Sequence, residues 1–292
     1  MSRAVLTTSR CAVLLLVTMS CARGQAPPEV RSQNDITYTK VGDRELKLDM
    51  TRPAEGDGPF PAVVVIHGGA WRAGNKADVH AVMSMLAQHG YVTISPQYRF
   101  CPKDLFPAQV YDVKAAVRWL RTHAAEYKVD PDHIGATGFS AGGHLSLMLG
   151  LTGPNDGLEG ENLPADAPSS RVQAVVNFFG PTDFAASDLP DVSKGLLKDF
   201  LGGTPAEKPE LTKQASPVTF TTSDDPPILT FQGTKDPLVP HTQAFTLTDA
   251  LTKAGVPGRV ELLIGAGHGW GGDDIKRTLD ETREFFDKYL KK

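Results

Sequence analysis

The sequence predicts an α/β fold built on an open, mostly parallel sheet with helices on both faces. Two observations carry that expectation. From residue 35 onward, short apolar runs alternate with segments of helical periodicity. The runs are also continuously apolar, as parallel strands buried on both faces should be. Residues 35–60 are turn-rich and are expected to form an antiparallel edge, leaving no room for a helical cap ahead of the sheet. Ala62–Ile66 is the first buried strand. Val79, Val82, Met83 and Leu86 then recur at i, i+3, i+4 and i+7, and Gly90 stops that helix before a strand at Tyr91–Ser95. Val113, Ala116, Val117 and Leu120 repeat the helical pattern ahead of Ile134–Gly138. Val172–Phe178 and Ile228–Gln232 are the next strands. A helix with Leu247, Ala250, Leu251 and Ala254 on one face follows, ended by Gly255, and then a strand at Val260–Ile264. A last helix runs from about Ile275, with Leu279, Thr282, Phe286 and Leu290 aligned. The long irregular stretches 151–170 and 183–226 fall on the C-terminal side of the sheet, where loops of such length shape binding sites.

Composition narrows the possible partners. The 292 residues carry a net charge of −4, and no Lys/Arg cluster forms a stripe, so nucleic acid is not an expected partner. Residues 1–24 read as an export signal. Arg3 and Arg10 precede an apolar stretch from Cys11 to Met19 that is too short to span a bilayer. Ala22 and Gly24 then occupy the small-residue positions before a cleavage point at Gln25. Removing this leader takes away three arginines and no acid, moving the charge from −4 to −7. The alternative is a lipoprotein anchor at Cys21, although Thr18 stands where such signals usually carry Leu. A linker at 25–34 and a single domain at 35–292 complete the expected organisation: an exported chain, periplasmic or secreted, with no stable membrane span. Cys101 is then the one cysteine of the mature chain, a core or loop residue with no base beside it.

Three motifs carry chemistry. Gly138-Phe139-Ser140-Ala141-Gly142 is a G-x-S-x-G sequence that follows a strand and opens an apolar helix near Gly143. That setting is the one a nucleophile elbow needs, because the turn presents the serine in strained geometry while glycines let neighbouring backbone pass. A serine hydroxyl is a weak nucleophile and requires a base held by an acid. Asp236 lies in the loop after Ile228–Gln232, and His268 in the loop after Val260–Ile264, so all three reach the same sheet edge in the order Ser, Asp, His. Asp224 and Asp225 precede their strand and would lie at its wrong end. The third motif, His67-Gly68-Gly69-Ala70-Trp71, follows the first buried strand. The amides of Gly69 and Ala70, with that of Ala141 in the first motif, are the candidate oxyanion donors. His67 is expected to brace that loop. Trp71, Phe139 and Trp270 are candidate pocket walls, with core packing as the alternative for each. His144 is expected to serve helix packing, and Asp156, Glu159 and Glu161 to form a solvated acidic loop.

These residues resemble the esterase/lipase group of α/β-hydrolases that carry an HGG-x-W oxyanion loop. The resemblance spans roughly residues 35–290 and rests on the three motifs together with Tyr98-Arg99, Phe106-Pro107-Ala108 and Phe179-Gly180-Pro181-Thr182-Asp183. Within the group the chain looks most like exported bacterial bifunctional feruloyl and acetyl-xylan esterases, which lack a large cap. It departs from many hormone-sensitive-lipase-like relatives, which have HGGG and an N-terminal cap. The resemblance implies an eight-stranded α/β-hydrolase sheet without a large cap. It also implies hydrolysis of small-molecule or oligosaccharide acyl esters through an acyl-enzyme on Ser140, with no metal or organic cofactor. The alternatives are a formamidase-like amidase, a serine peptidase of the same fold, and a non-catalytic binding module. Acyl group, alcohol and oligomeric state stay open.

Overall fold

The computed structural model describes residues 27–161 and 163–291, so the expected leader and Cys21 lie outside the described residues. The chain runs β1 (Val30–Val41), β2 (Arg44–Pro53), β3 (Phe60–Ile66), α1 (His80–Gln88), β4 (Val92–Pro96), α2 (Ala108–Thr122), α3 (Ala124–Tyr127) and β5 (Val129–Phe139). It continues with α4 (Ala141–Leu151), β6 (Ala174–Phe178), α5 (Asp191–Leu201), α6 (Pro209–Ala215), β7 (Ile228–Gly233), α7 (Thr242–Ala254), β8 (Gly258–Leu263) and α8 (Gly272–Leu290). The eight strands form one sheet in the order β1-β2-β4-β3-β5-β6-β7-β8. β1 and β2 are the antiparallel edge, and β2 also pairs antiparallel with β4, while the remaining neighbours are parallel. The edge starts at Val30, inside the segment expected to be linker, because Val30 to Gln33 pair with Pro53 to Met50.

The continuous apolar runs sort by the strand period of two. Ala62, Val64 and Ile66 face the core shared with α2 and α4, whereas Val63 and Val65 face the one covered by α1 and α8. Both faces of the inner strands β3, β4, β6 and β7 are therefore dry, which is why their runs do not alternate. At the far edge β8 pairs with β7 alone, and Ile264, expected in the strand, is 87% exposed beyond its end.

The segment 183–226 differs from expectation. It holds α5, α6 and a 3₁₀ turn at Pro217–Phe220, and α5 stands over the C-terminal edge of the sheet. α5 ends at Gly202 in the left-handed conformation and α6 has Pro in its first turn, both recognised helix signals. α6, with seven residues, is too short for periodicity to announce it, whereas α5 does carry Leu197, Phe200 and Leu201 at i, i+3 and i+4, a helical pattern that the expectation of an irregular stretch passed over.

Glu159 is a second difference. It is not solvated with its neighbours but accepts from Lys114 at 2.6 Å, Arg118 at 2.8 Å and Ser170 at 2.7 Å. The Lys114 side chain is fully buried, so it depends on this carboxylate. Removing one partner of a buried pair leaves the other charge uncompensated. Glu159→Ala is expected to lower unfolding free energy by about 3 kcal/mol, near the low end because Glu159 keeps some solvent contact. Urea denaturation checks this; a change under about 1 kcal/mol would contradict it.

Candidate active site

All the parallel strands end at one sheet edge, and the loops leaving them build the site. Ser140 occupies the turn between β5 and α4 with φ 56° and ψ −119°. Its amide donates to the Phe178 carbonyl at 2.9 Å, and its own carbonyl accepts from His144 N at 3.0 Å. The flanking glycines are sterically required. A Cβ at Gly138 would stand 2.3 Å from the Gly142 oxygen, and one at Gly142 would stand 2.1 Å from the Ile66 oxygen. The expected elbow is therefore formed, with α4 beginning at Ala141, two residues earlier than expected.

The three residues expected to meet do so. His268 Nε2 lies 2.8 Å from Ser140 Oγ, and His268 Nδ1 lies 2.7 Å from Asp236 Oδ2. An ionised carboxylate only accepts, so Nδ1 carries the proton and the Nε2 lone pair faces the serine hydroxyl. The Asp236 side chain is fully buried. Oδ1 accepts from the amides of Leu238 and Val239 at 2.8 and 2.9 Å, and Oδ2 also accepts from Gln232 Nε2 at 3.1 Å. Asp224 and Asp225 are elsewhere, both paired with Arg171.

The loop after β3 takes an unusual backbone path. Gly69, Ala70 and Trp71 have φ of 115°, 52° and 57°. For the two non-glycine residues this costs on the order of 1 kcal/mol each, so surrounding contacts must hold it. The Gly69 carbonyl accepts from the amides of Arg72 and Ala73, and the Trp71 carbonyl from Cys101 N at 2.9 Å. Among the described residues the amides of Gly69 and Ala70 have no acceptor. Ala141, first residue of α4, has none within its helix. His67 braces the loop as expected. It is buried, stacks on Tyr98 at 4.5 Å and binds the Gly68 carbonyl through Nδ1 at 2.7 Å. Burial lowers its pKa. Cys101 is also buried, and desolvation pushes its thiol up to about 11, so it stays protonated and unreactive near neutrality.

Ser140 and His268 open onto a cavity of about 390 Å³. Trp71 and Phe139 line it as expected. Trp270 does not, because its indole N–H is anchored to Thr278 Oγ1 at 3.0 Å and its ring packs behind Phe179. Phe179 forms that wall instead and meets the His268 ring edge-on at 4.8 Å. The far wall comes from α5 and its approach, with Leu189, Leu196 and Leu197, and from Leu238 and Val239 beside Asp236. None of these was singled out from sequence, since an apolar residue in an irregular segment carries no signal of what it faces. A larger groove of about 990 Å³ lies between α2, the β1–β2 turn and residues 160–161 and 163–168, and neither Ser140, Asp236 nor His268 reaches it.

His144 lies directly behind the site. Trp71 Nε1 donates to His144 Nδ1 at 3.2 Å, and His144 Nε2 faces the Ala215 carbonyl at 2.9 Å. An indole N–H only donates and a carbonyl only accepts, so the ring is neutral with its proton on Nε2. Its ring packs against Phe184 and Phe200, and burial pulls its pKa down to about 4.

An eight-stranded mixed sheet with helices on both faces and a Ser-His-Asp relay at the strand ends defines an α/β-hydrolase. Residues 48–251 match the BD-FAE family, and the chain belongs to that family. Among curated proteins it is similar to the probable carboxylic ester hydrolase LipM of Mycobacterium tuberculosis, at 38% identity over 74% of this chain and 51% of the relative. The chain thus spans about half the length of the curated relatives it matches. Among solved structures it resembles a truncated carbohydrate esterase from gut microbiota, with TM-score 0.79, 30% identity and coverage of 92% of this chain and 99% of the other. It also resembles the propionate-bound esterase Est2 of Thermogutta terrifontis, with TM-score 0.74, 30% identity and coverage of 90% and 94%.

The His144 environment predicts a pH dependence of stability. Its folded pKa lies below the unfolded value, so the unfolded chain binds the proton more readily. The neutral ring therefore contributes stability that is present above about pH 6.5 and is lost as pH falls toward 4. The fall from 6.5 to about 4 corresponds to about 3 kcal/mol at 1.36 kcal/mol per pH unit. Denaturation curves across this range should be flatter for His144→Gln than for the wild type; parallel curves would contradict the assignment.

Proposed function

We propose that this chain is a carboxylic ester hydrolase that works through an acyl-enzyme on Ser140, acting on acylated carbohydrates or other small acyl esters. The observation that carries the reading is the unbroken relay from Ser140 Oγ through His268 to buried Asp236, open to an apolar cavity beside free backbone amides. His268 Nε2 takes the hydroxyl proton as Oγ attacks the ester carbonyl carbon. The tetrahedral oxyanion is held by the amides of Ala141, Gly69 and Ala70, each able to contribute about 3 kcal/mol. Asp236 orients the imidazole and stabilises its charged form. Collapse returns the proton from Nε2 to the departing alcohol. Water then attacks the acyl-enzyme with His268 again as base, and as the bond to Oγ breaks and the acid leaves, Nε2 returns the proton to Ser140 Oγ.

The substrate class is supported by the likeness to a carbohydrate esterase and to an esterase solved with propionate, together with a cavity that presents carbon to the acyl group. The leader-like pattern of residues 1–24 supports export.

The test is acetate release from acetylated xylo-oligosaccharides, with an activated acetyl ester in parallel. Ser140→Ala is expected to lower kcat by at least about 10⁴-fold on both, and Asp236→Asn by about 10⁴-fold through the wrong imidazole tautomer. Release from the sugar that survives Ser140→Ala would overturn the assignment of the nucleophile. Cleavage of the activated ester alone would discard the carbohydrate substrate and keep the mechanism.

A further inference from the structure

Three segments from different parts of the chain, two of which form the site, meet behind it at one side chain. The oxyanion loop reaches His144 through the Trp71 indole N–H, α4 carries His144 itself, and the end of α6 supplies the Ala215 carbonyl. The surroundings are aromatic. Trp71 stacks on Phe200 of α5 at 4.2 Å, and His144 stacks on Phe184 at 5.0 Å. At the surface the next loop residue, Arg72, pairs with Asp199 of α5 at 3.0 Å. Phenylalanine could fill the same space, so the imidazole is not needed to exclude solvent. It is distinguished by its two opposed hydrogen bonds, an acceptor toward Trp71 and a donor toward Ala215, and buried polar groups tolerate little displacement from satisfied geometry.

We propose that His144 is a positioning residue for the esterase reaction: through Trp71 it sets the amides of Gly69 and Ala70 for the oxyanion, and the Ala215 carbonyl fixes the tautomer that lets it do so. The inference rests on the functional reading above and adds a residue that touches neither substrate nor the reacting atoms. Trp71 follows Ala70 directly, and both hold positive φ, so the angle of the indole and the direction of the Ala70 amide are mechanically linked. Burial keeps the imidazole neutral at working pH, which preserves the acceptor on Nδ1.

The consequence is specific. Oxyanion donors bind the transition state and not the bound ester, so their misalignment lowers kcat and leaves KM unchanged. His144→Phe is expected to lower kcat on p-nitrophenyl acetate by at least about tenfold, with KM within about twofold of wild type. His144→Gln should recover most of that loss, because its amide nitrogen can donate to Ala215 and its oxygen can accept from Trp71. Trp71→Phe removes the donor but keeps a ring, and should lower kcat similarly; combined with His144→Phe it should add little, as for two members of one interaction. Thermal melts establish that each variant is folded. Unchanged kcat in His144→Phe, a loss confined to KM, no recovery in the Gln variant, or independent effects in the double variant would each overturn the proposal. Should His144→Phe not fold, Trp71→Phe decides alone: a kcat loss at constant KM upholds it, and wild-type kcat overturns it. A wild type that cleaves no ester overturns the functional reading and this inference with it, whereas an active wild type with an indifferent His144 overturns the inference alone.

Discussion

The first turn of α4 approaches the end of β3 so closely that a Cβ at Gly142 would stand 2.1 Å from the Ile66 carbonyl oxygen. That approach sets the sharp turn between β5 and α4, and the turn in turn sets Ser140. Its backbone at φ 56°, ψ −119° is held by the Phe178 carbonyl on one side and the first turn of α4 on the other. The same contact brings the start of α4 beside the loop leaving β3, so the Ala141 amide and the amides of Gly69 and Ala70 come from two elements already pressed together. His268 and Asp236 are added by two further strands of the same sheet, and their placement needs only that β7 and β8 end at the same edge.

Strain in this site is concentrated in the backbone and is held by buried polar contacts. Ser140, Ala70, Trp71 and Phe179 all have positive φ without being glycine. Each lies at the cavity, and each is locked by neighbours: Phe179 by the hydrogen bond its amide donates to the Phe231 carbonyl, and the oxyanion loop by Cys101 N and the Trp71–His144–Ala215 chain. Conformations of this kind persist where the surrounding structure over-determines them, and they serve catalysis by removing the need to reorganise during reaction. Asp236 follows the same logic, since three donors besides His268 hold a carboxylate that has no solvent contact of its own.

The connection between β6 and β7 gives the site much of its wall. α5 brings leucines over a sheet edge that would otherwise be open, and Ser193 Oγ ties that helix to the Leu238 carbonyl beside Asp236. The acyl-binding surface and the acid of the relay therefore share a boundary. Glu159 does comparable work on the other long connection, where burial of Lys114 and Arg118 against one carboxylate anchors a loop that would otherwise be free to move.

The parallel strands and the relay were legible in the chain because each leaves a local trace. Dry strands must be continuously apolar, and a nucleophile elbow must have glycine at positions 138 and 142 because no Cβ fits there. Ser, Asp and His must each follow a strand to reach one edge. Other features leave no such trace. Leu189, Leu196 and Leu197 are ordinary leucines until α5 folds over the cavity. Phe179 and Trp270 are both aromatic residues beside the site, and only the anchor of Trp270 to Thr278 decides which of them forms the wall. Glu159 reads like Glu161 until Lys114 is buried against it. His144 reads as one more residue of an apolar helix until Trp71 and Ala215 arrive from elements far away in sequence. The sequence by itself determined the sheet, the relay and the loop that supplies the amides, since backbone sterics and strand burial impose their residues locally. Tertiary structure alone decided the cavity walls, the charge anchors and the hydrogen bonds behind the site, because those depend on which distant side chains are brought within reach.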